Sequence, residues 1–117
     1  PEDQHNIIGS FMDKIQSFNK TDGSAVVKEK VKKLLKECSA YYHMPVQNGM
    51  GKPSLDFICC AKGRFLAIET KTEKGQLTLR QQATIDEMQK AGAIVLVIRG
   101  ETDGESFAIL RSFLELA

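Results

Sequence analysis

Apolar residues Ile7, Ile8, Phe11, Met12, Ile15 and Phe18 recur at helical spacing and predict a first amphipathic helix. Thr21-Asp22-Gly23-Ser24 interrupts that pattern and supplies capping residue types for a second helix. The second helix is predicted from about Ala25 to Ser39. It has Val27, Val31, Leu34, Leu35 and Cys38 on one face and Lys28, Lys32 and Lys36 at four-residue steps along its flank. Strand signals then take over. Tyr41 to Val46 is a short aromatic and β-branched run, followed by Gln47-Asn48-Gly49-Met50-Gly51-Lys52-Pro53, a loop by composition. Leu55 to Ala61 and Phe65 to Thr72 are apolar runs joined by Lys62-Gly63, which predicts an antiparallel hairpin. Thr78 to Lys90 reads as a helix closed at Ala91-Gly92. Ala93 to Ile98 is a continuous apolar run, the mark of a strand buried on both faces. Phe107, Leu110, Phe113 and Leu114 place a last helix between Ser106 and Leu116.

The order α-α-β-β-β-α-β-α predicts an α/β domain, a mixed central β-sheet flanked by helices. The β-α-β crossover sets the Ala93 strand parallel to the Phe65 strand. A chain of 117 residues has room for one core and not for two. Residues 1–117 are therefore expected to form a single domain, with an N-terminal helix in 1–23 available for a dimer contact and the core of the fold in 24–117.

Composition removes several classes of function. No apolar run approaches the length of a membrane span, and Pro1-Glu2-Asp3-Gln4-His5 lacks the basic and apolar regions of a signal peptide. The expectation is a cytoplasmic protein with no membrane partner; the missing initiator Met points to a trimmed or processed end. Three cysteines, an odd number, suit a reducing compartment and read as core packing. Cys59 and Cys60, adjacent on a strand, point to opposite faces and cannot form a zinc knuckle. Net charge is only +1, so any grip on nucleic acid must come from localised positive charge.

Charge inside the apolar strands changes the picture most. Asp56 stands near the start of one strand, and Glu69 and Lys71, two residues apart, share a face at the end of the next. Uncompensated charge inside a sheet is costly, so these groups must offset one another or a metal ion. The hairpin sets Asp56 and Glu69 close to opposite each other, and a divalent cation resolves their repulsion. Oxygen ligands of this kind suit Mg²⁺ or Mn²⁺, which keep several waters and accept a phosphate oxygen. A Lys beside such an ion can orient or help deprotonate an attacking water, which is the equipment of phosphodiester hydrolysis.

Asp56, twelve residues, then Glu69-Thr70-Lys71 resembles the PD-(D/E)XK nuclease signature. The flanking text is similar to one branch, the virus-type replication-repair nuclease (VRR-NUC) domains. It comprises Gly51-Lys52-Pro53-Ser54-Leu55-Asp56, Gly63-Arg64-Phe65-Leu66-Ala67-Ile68-Glu69-Thr70-Lys71 and Leu77-Thr78-Leu79-Arg80-Gln81, completed by the apolar strand after Ala91-Gly92. The resemblance runs over Tyr41 to Arg99, about half the chain. It implies a restriction-endonuclease-like fold whose catalytic core is 24–117. It further implies a metal held by Asp56, Glu69 and the backbone carbonyl of Thr70, with Lys71 handling the nucleophilic water and Gln81 reaching in from the following helix. Implied too are a homodimer, branched DNA such as a Holliday junction as substrate, and DNA repair or recombination in a bacterial host or phage-infected cell. The chain departs from the family at Pro53, which Ser54 and Leu55 separate from Asp56. It departs again on the helix before the sheet, where many relatives carry an acid. Glu29 lies opposite the apolar face there, and Ser24 takes the inward position.

Other readings of the same residues stay open. Glu-x-Lys after an Asp also describes a cross-strand ion pair. Thr78-Leu79-Arg80-Gln81 fits a capping box, in which Gln81 only closes the helix start. The Lys28, Lys32 and Lys36 stripe is a solvated face or a DNA contact. Lys52, Arg64, Lys74 and Arg80, which flank the motif, are the candidates for phosphate contacts. The alternative in another class is a non-catalytic nucleic-acid- or protein-binding module that keeps the nuclease fold, and a third is a nuclease subunit active only within an assembly.

Overall fold

In the computed structural model, which describes residues 24–115, the second periodic segment forms helix α1, residues 24–37. Val27, Val31, Leu34 and Leu35 are its buried positions. The helix ends two residues earlier than its periodicity suggests. Ser39 adopts a left-handed φ of 57°, Ser39 N–H donates to the Lys36 carbonyl, and Ala40 N–H reaches the Leu35 carbonyl at 2.9 Å. That paired arrangement satisfies the last carbonyls of a helix. The helix expected over Ile7 to Phe18, and with it the dimer contact, lies outside the described residues.

Four strands follow as β1 (Tyr41–His43), β2 (Phe57–Ala61), β3 (Arg64–Lys71) and β4 (Ile94–Arg99), with α2 (Leu79–Lys90) before β4 and α3 (Glu105–Glu115) after it. Strand β1 is shorter than the run that predicts it, because Pro45 has no N–H to give to a ladder. The β2–β3 hairpin turns at Lys62 (φ 53°) and Gly63 (φ 78°). Two left-handed residues in a two-residue loop match the twist of the strands they join. The sheet order is β1-β2-β3-β4, antiparallel except for the parallel β3–β4 pair. The crossover α2 makes that parallel pairing, as the sequence predicts.

The result is a compact α/β domain of three helices and a four-stranded mixed sheet among the described residues. Helices α1 and α3 cover one face, where Phe57, Leu66, Ile68, Ile98, Leu110 and Leu114 close the larger core. Helix α2 covers the other, where Leu55, Ala67 and Ile85 form a smaller one. No helix among the described residues is long and apolar enough to cross a membrane.

Two expectations are corrected. Strand β4 was expected to be buried on both faces. Its residues do pack both ways, Ile94 and Leu96 against the larger core and Val95 and Val97 against the smaller. It is, however, an outer strand among those described, so only Ile98 is fully buried. Cys60, read as core packing, is exposed, whereas Cys59 is buried and Cys38 half-buried. Cys60 pairs with Tyr41 and Phe65 across the sheet, and both neighbours are exposed as well. Burial pushes the Cys59 thiol up to about 12, which keeps it protonated and inert. A thiol-specific reagent is therefore expected to label native protein at Cys60 first, Cys38 more slowly and Cys59 only on unfolding. Mass spectrometry after brief exposure checks this, and labelling of Cys59 as fast as Cys60 would contradict the hairpin register.

Candidate active site

Extending the β2–β3 register of Phe57 with Ile68 by one residue sets Asp56 opposite Glu69. Asp56 lies just outside β2 and finishes the ladder with its side chain. Its Oδ2 accepts the Thr70 N–H at 3.0 Å and the Thr70 hydroxyl at 2.6 Å. Thr70 is buried, so its backbone N–H would be stranded without that carboxylate. In an extended strand a residue's N–H and C=O point to the same side. The Thr70 carbonyl therefore faces the side of Asp56, while the Lys71 carbonyl faces β4 and takes the Gly100 N–H at 3.2 Å.

Glu69 is only 4% exposed and looks toward α2. Gln81 Nε2 donates to Glu69 Oε2 at 2.9 Å. Gln81 also accepts the Thr78 N–H through Oε1 at 3.0 Å, while its own N–H donates to the Thr78 hydroxyl, so the capping box is complete. Both readings of Gln81 hold at once: the helix start fixes the amide, and the amide fixes the Glu69 carboxylate. Burial and the charge of Asp56 push the Glu69 carboxyl up to about 7. The charge of Lys71, the backbone N–H of Asp56 and the charge of Lys28 pull the other way.

Lys71, half-buried, lines an open cleft of about 360 Å³ together with Asp56, Glu69, Thr70 and Gln81. The turn after β3 leaves room for its stem. A Cβ on Gly75 would sit 3.0 Å from Thr72 Oγ1 and 3.4 Å from Lys71 Cδ. Arg99, paired with Lys71 across β4, clamps this turn by donating to the carbonyls of Thr72 and Gly75. On the opposite wall α1 contributes Ser24 and Lys28. Ser24 Oγ lies 3.3 Å from Thr70 Oγ1, and Lys28 Nζ donates to Ser24 Oγ at 3.5 Å. Glu29, as its helical phase suggests, points to solvent and pairs with Lys32 at 2.8 Å.

The proposed phosphate contacts divide. Arg80 and Lys52 line a neighbouring groove of about 240 Å³ that meets the cleft at Gln81. Lys52 pairs there with Glu87 of α2 at 2.7 Å. Lys74 is exposed on the turn after β3. Arg64 is not brought to the site. It begins β3, roughly 23 Å from Lys71 at the usual strand rise, and its guanidinium donates to the Phe113 carbonyl and lies 5.9 Å from the Phe113 ring. Sequence reasoning passed over Gly75 and Arg99, and it left Lys28 undivided from Lys32 and Lys36 as a solvated face or a DNA contact. For Lys28 a signal exists: it follows the inward Ser24 by four residues and so shares its face.

Comparison with protein-family models, with curated proteins and with solved structures finds no match. The donor set is the remaining guide to a cofactor. Two apposed carboxylates, one held partly protonated by burial and by the charge of the other, together with a backbone carbonyl on the same side, suit a hard divalent ion. Mg²⁺ binds through one or two carboxylates and keeps its other waters. Among the described residues no cluster of three or more His, Cys, Asp or Glu forms.

Proposed function

We propose that this chain is a metal-dependent DNA endonuclease of restriction-endonuclease-like fold and VRR-NUC type. The observation that carries the reading is the convergence of Asp56, Glu69 and Lys71 on one cleft, with Gln81 bonded to the buried carboxylate. Asp56, Glu69 and the Thr70 carbonyl would hold Mg²⁺ or Mn²⁺. When bound, the ion supplies positive charge for the phosphate and a more acidic water. Lys71, at the cleft edge, orients the attacking water and places positive charge beside the pentavalent transition state. Gln81 keeps the Glu69 carboxylate in one rotamer, and Asp56 is held the same way by Thr70. Branched DNA, a homodimer that presents two clefts to it, and work in the cytoplasm of a bacterial or phage-infected cell belong to the same reading.

The test is cleavage of a labelled four-way junction beside linear duplex and single strand, with Mn²⁺ or EDTA. Wild-type protein is expected to cut the junction with Mn²⁺ only, and Lys71→Ala to lose the cut. No cleavage together with calorimetric Mn²⁺ binding would point to a subunit lacking its partner. No cleavage and no Mn²⁺ binding would leave the binding module as the reading.

A further inference from the structure

The cleft is walled on one side by α1, and α1 places a lysine in it. Lys28 is half-buried at the cleft, whereas Lys36 on the same flank is exposed and Lys32 is engaged with Glu29. Its ammonium rests on a hydroxyl, Ser24 Oγ, at 3.5 Å, and no described carboxylate pairs with it. The hydroxyls pass the contact inward. Thr70 Oγ1 commits its proton to Asp56, so Ser24 donates to Thr70 and in turn accepts from Lys28. This chain holds the lysine stem against the cleft wall. An ammonium has three protons, and the Ser24 bond uses one.

Charge in the cleft supports a role toward substrate. Asp56 and Glu69 are offset by Lys28 and Lys71 before any cation enters. A divalent ion then leaves a positive cleft, as a phosphodiester requires. We propose that Lys28 is a phosphate-binding residue, donating from the α1 wall to a non-bridging oxygen of the nucleic-acid phosphate seated in the cleft. The inference rests on the nuclease reading and adds to it a ligand contact on α1 that the Asp56, Glu69 and Lys71 motif does not contain. A contact with phosphate carries no sequence or shape information, so Lys28 sets affinity and leaves the preference among DNA structures to other residues.

The experiment uses the full chain carrying Lys71→Ala, so that DNA survives in Mn²⁺, with and without Lys28→Ala. Anisotropy of labelled four-way junction, linear duplex and single strand is followed across a KCl series. Loss of Lys28 is expected to weaken binding about tenfold on all three DNAs alike, and to make the slope of log affinity against log salt shallower by about one. Lys28→Arg restores the slope, and Lys36→Ala leaves it unchanged. Unaltered affinity and slope in folded Lys28→Ala protein would overturn the proposal. If the alanine variant does not fold, Lys28→Gln, which keeps the stem and a donor for Ser24, decides by the same slope. Failure of the nuclease reading looks different: protein with Lys71 intact then cuts none of the three DNAs, with or without Lys28→Ala.

Discussion

Asp56→Ala is expected to lower the unfolding free energy by about 2–4 kcal/mol and to abolish Mn²⁺-dependent cleavage, whereas Asp56→Asn recovers most of the stability and none of the cleavage. On the proposed reading Asp56 has two tasks that a neutral amide separates. Its Oδ2 takes both the backbone N–H and the hydroxyl of a buried Thr70. Alanine strands the backbone donor at the end of β3, at about 1–3 kcal/mol, and leaves the hydroxyl only its longer contact with Ser24 in place of a charge-assisted bond. Asparagine offers a carbonyl oxygen in nearly the same place and satisfies them, but it brings no charge to a cation. Urea titration of the two variants reads the first task, and junction cleavage with Mn²⁺ reads the second. Equal stability of the variants would mean that Thr70 finds other acceptors. Cleavage by Asp56→Asn at the wild-type rate would remove Asp56 from the ligand set.

The features most legible in the sequence were those set by short-range periodicity. Alternation along β3 put Glu69 and Lys71 on one face, Lys62-Gly63 announced the hairpin, and the crossover rule gave the parallel β4. The double role of Gln81 was legible as two competing motifs, which proved to be compatible. What the sequence hid depends on distance between elements. Arg64 is close to the motif along the chain, yet a strand is the longest path between two residues, so that closeness carries it to the far end of the sheet. Lys28, Lys32 and Lys36 differ in sequence only in that Lys28 stands one turn from the inward Ser24, and the position of α1 against the end of β3 is what gives that difference meaning. The depth of β4 is hidden for a similar reason. Helices cover both faces of a central and of an outer strand alike, so the apolar run is the same in either place.

Binding of Mn²⁺ is expected to strengthen about tenfold per pH unit up to about pH 7 and to level off above it, because Glu69 must lose a proton before it can act as a ligand. Its carboxyl stands at about 7, against an ordinary 4.5, through burial and the charge of Asp56. In metal-free protein the sign is opposite to that of most carboxylates. Between 4.5 and 7 the folded chain holds a proton that the unfolded chain releases, so stability from this group is present below the window and is lost as pH rises through it. At 1.36 kcal/mol per pH unit the loss is about 3 kcal/mol. Glu69→Gln removes the ionisation and is expected to be the more stable protein at pH 8 by about 2–3 kcal/mol, with little difference at pH 4.5, while losing Mn²⁺ binding and cleavage altogether. Calorimetry in two buffers of different ionisation enthalpy should find about one proton released per Mn²⁺ at pH 6 and close to none at pH 8. A dissociation constant that does not change between pH 5.5 and 8 would sink this account. The buried acid would then be an element of the fold, and the cost of keeping it charged above pH 7 would have no functional return. If the dependence is found, that cost is the reason the site takes up a cation: the fold holds one carboxylate where only a metal ion, or a proton, makes it comfortable.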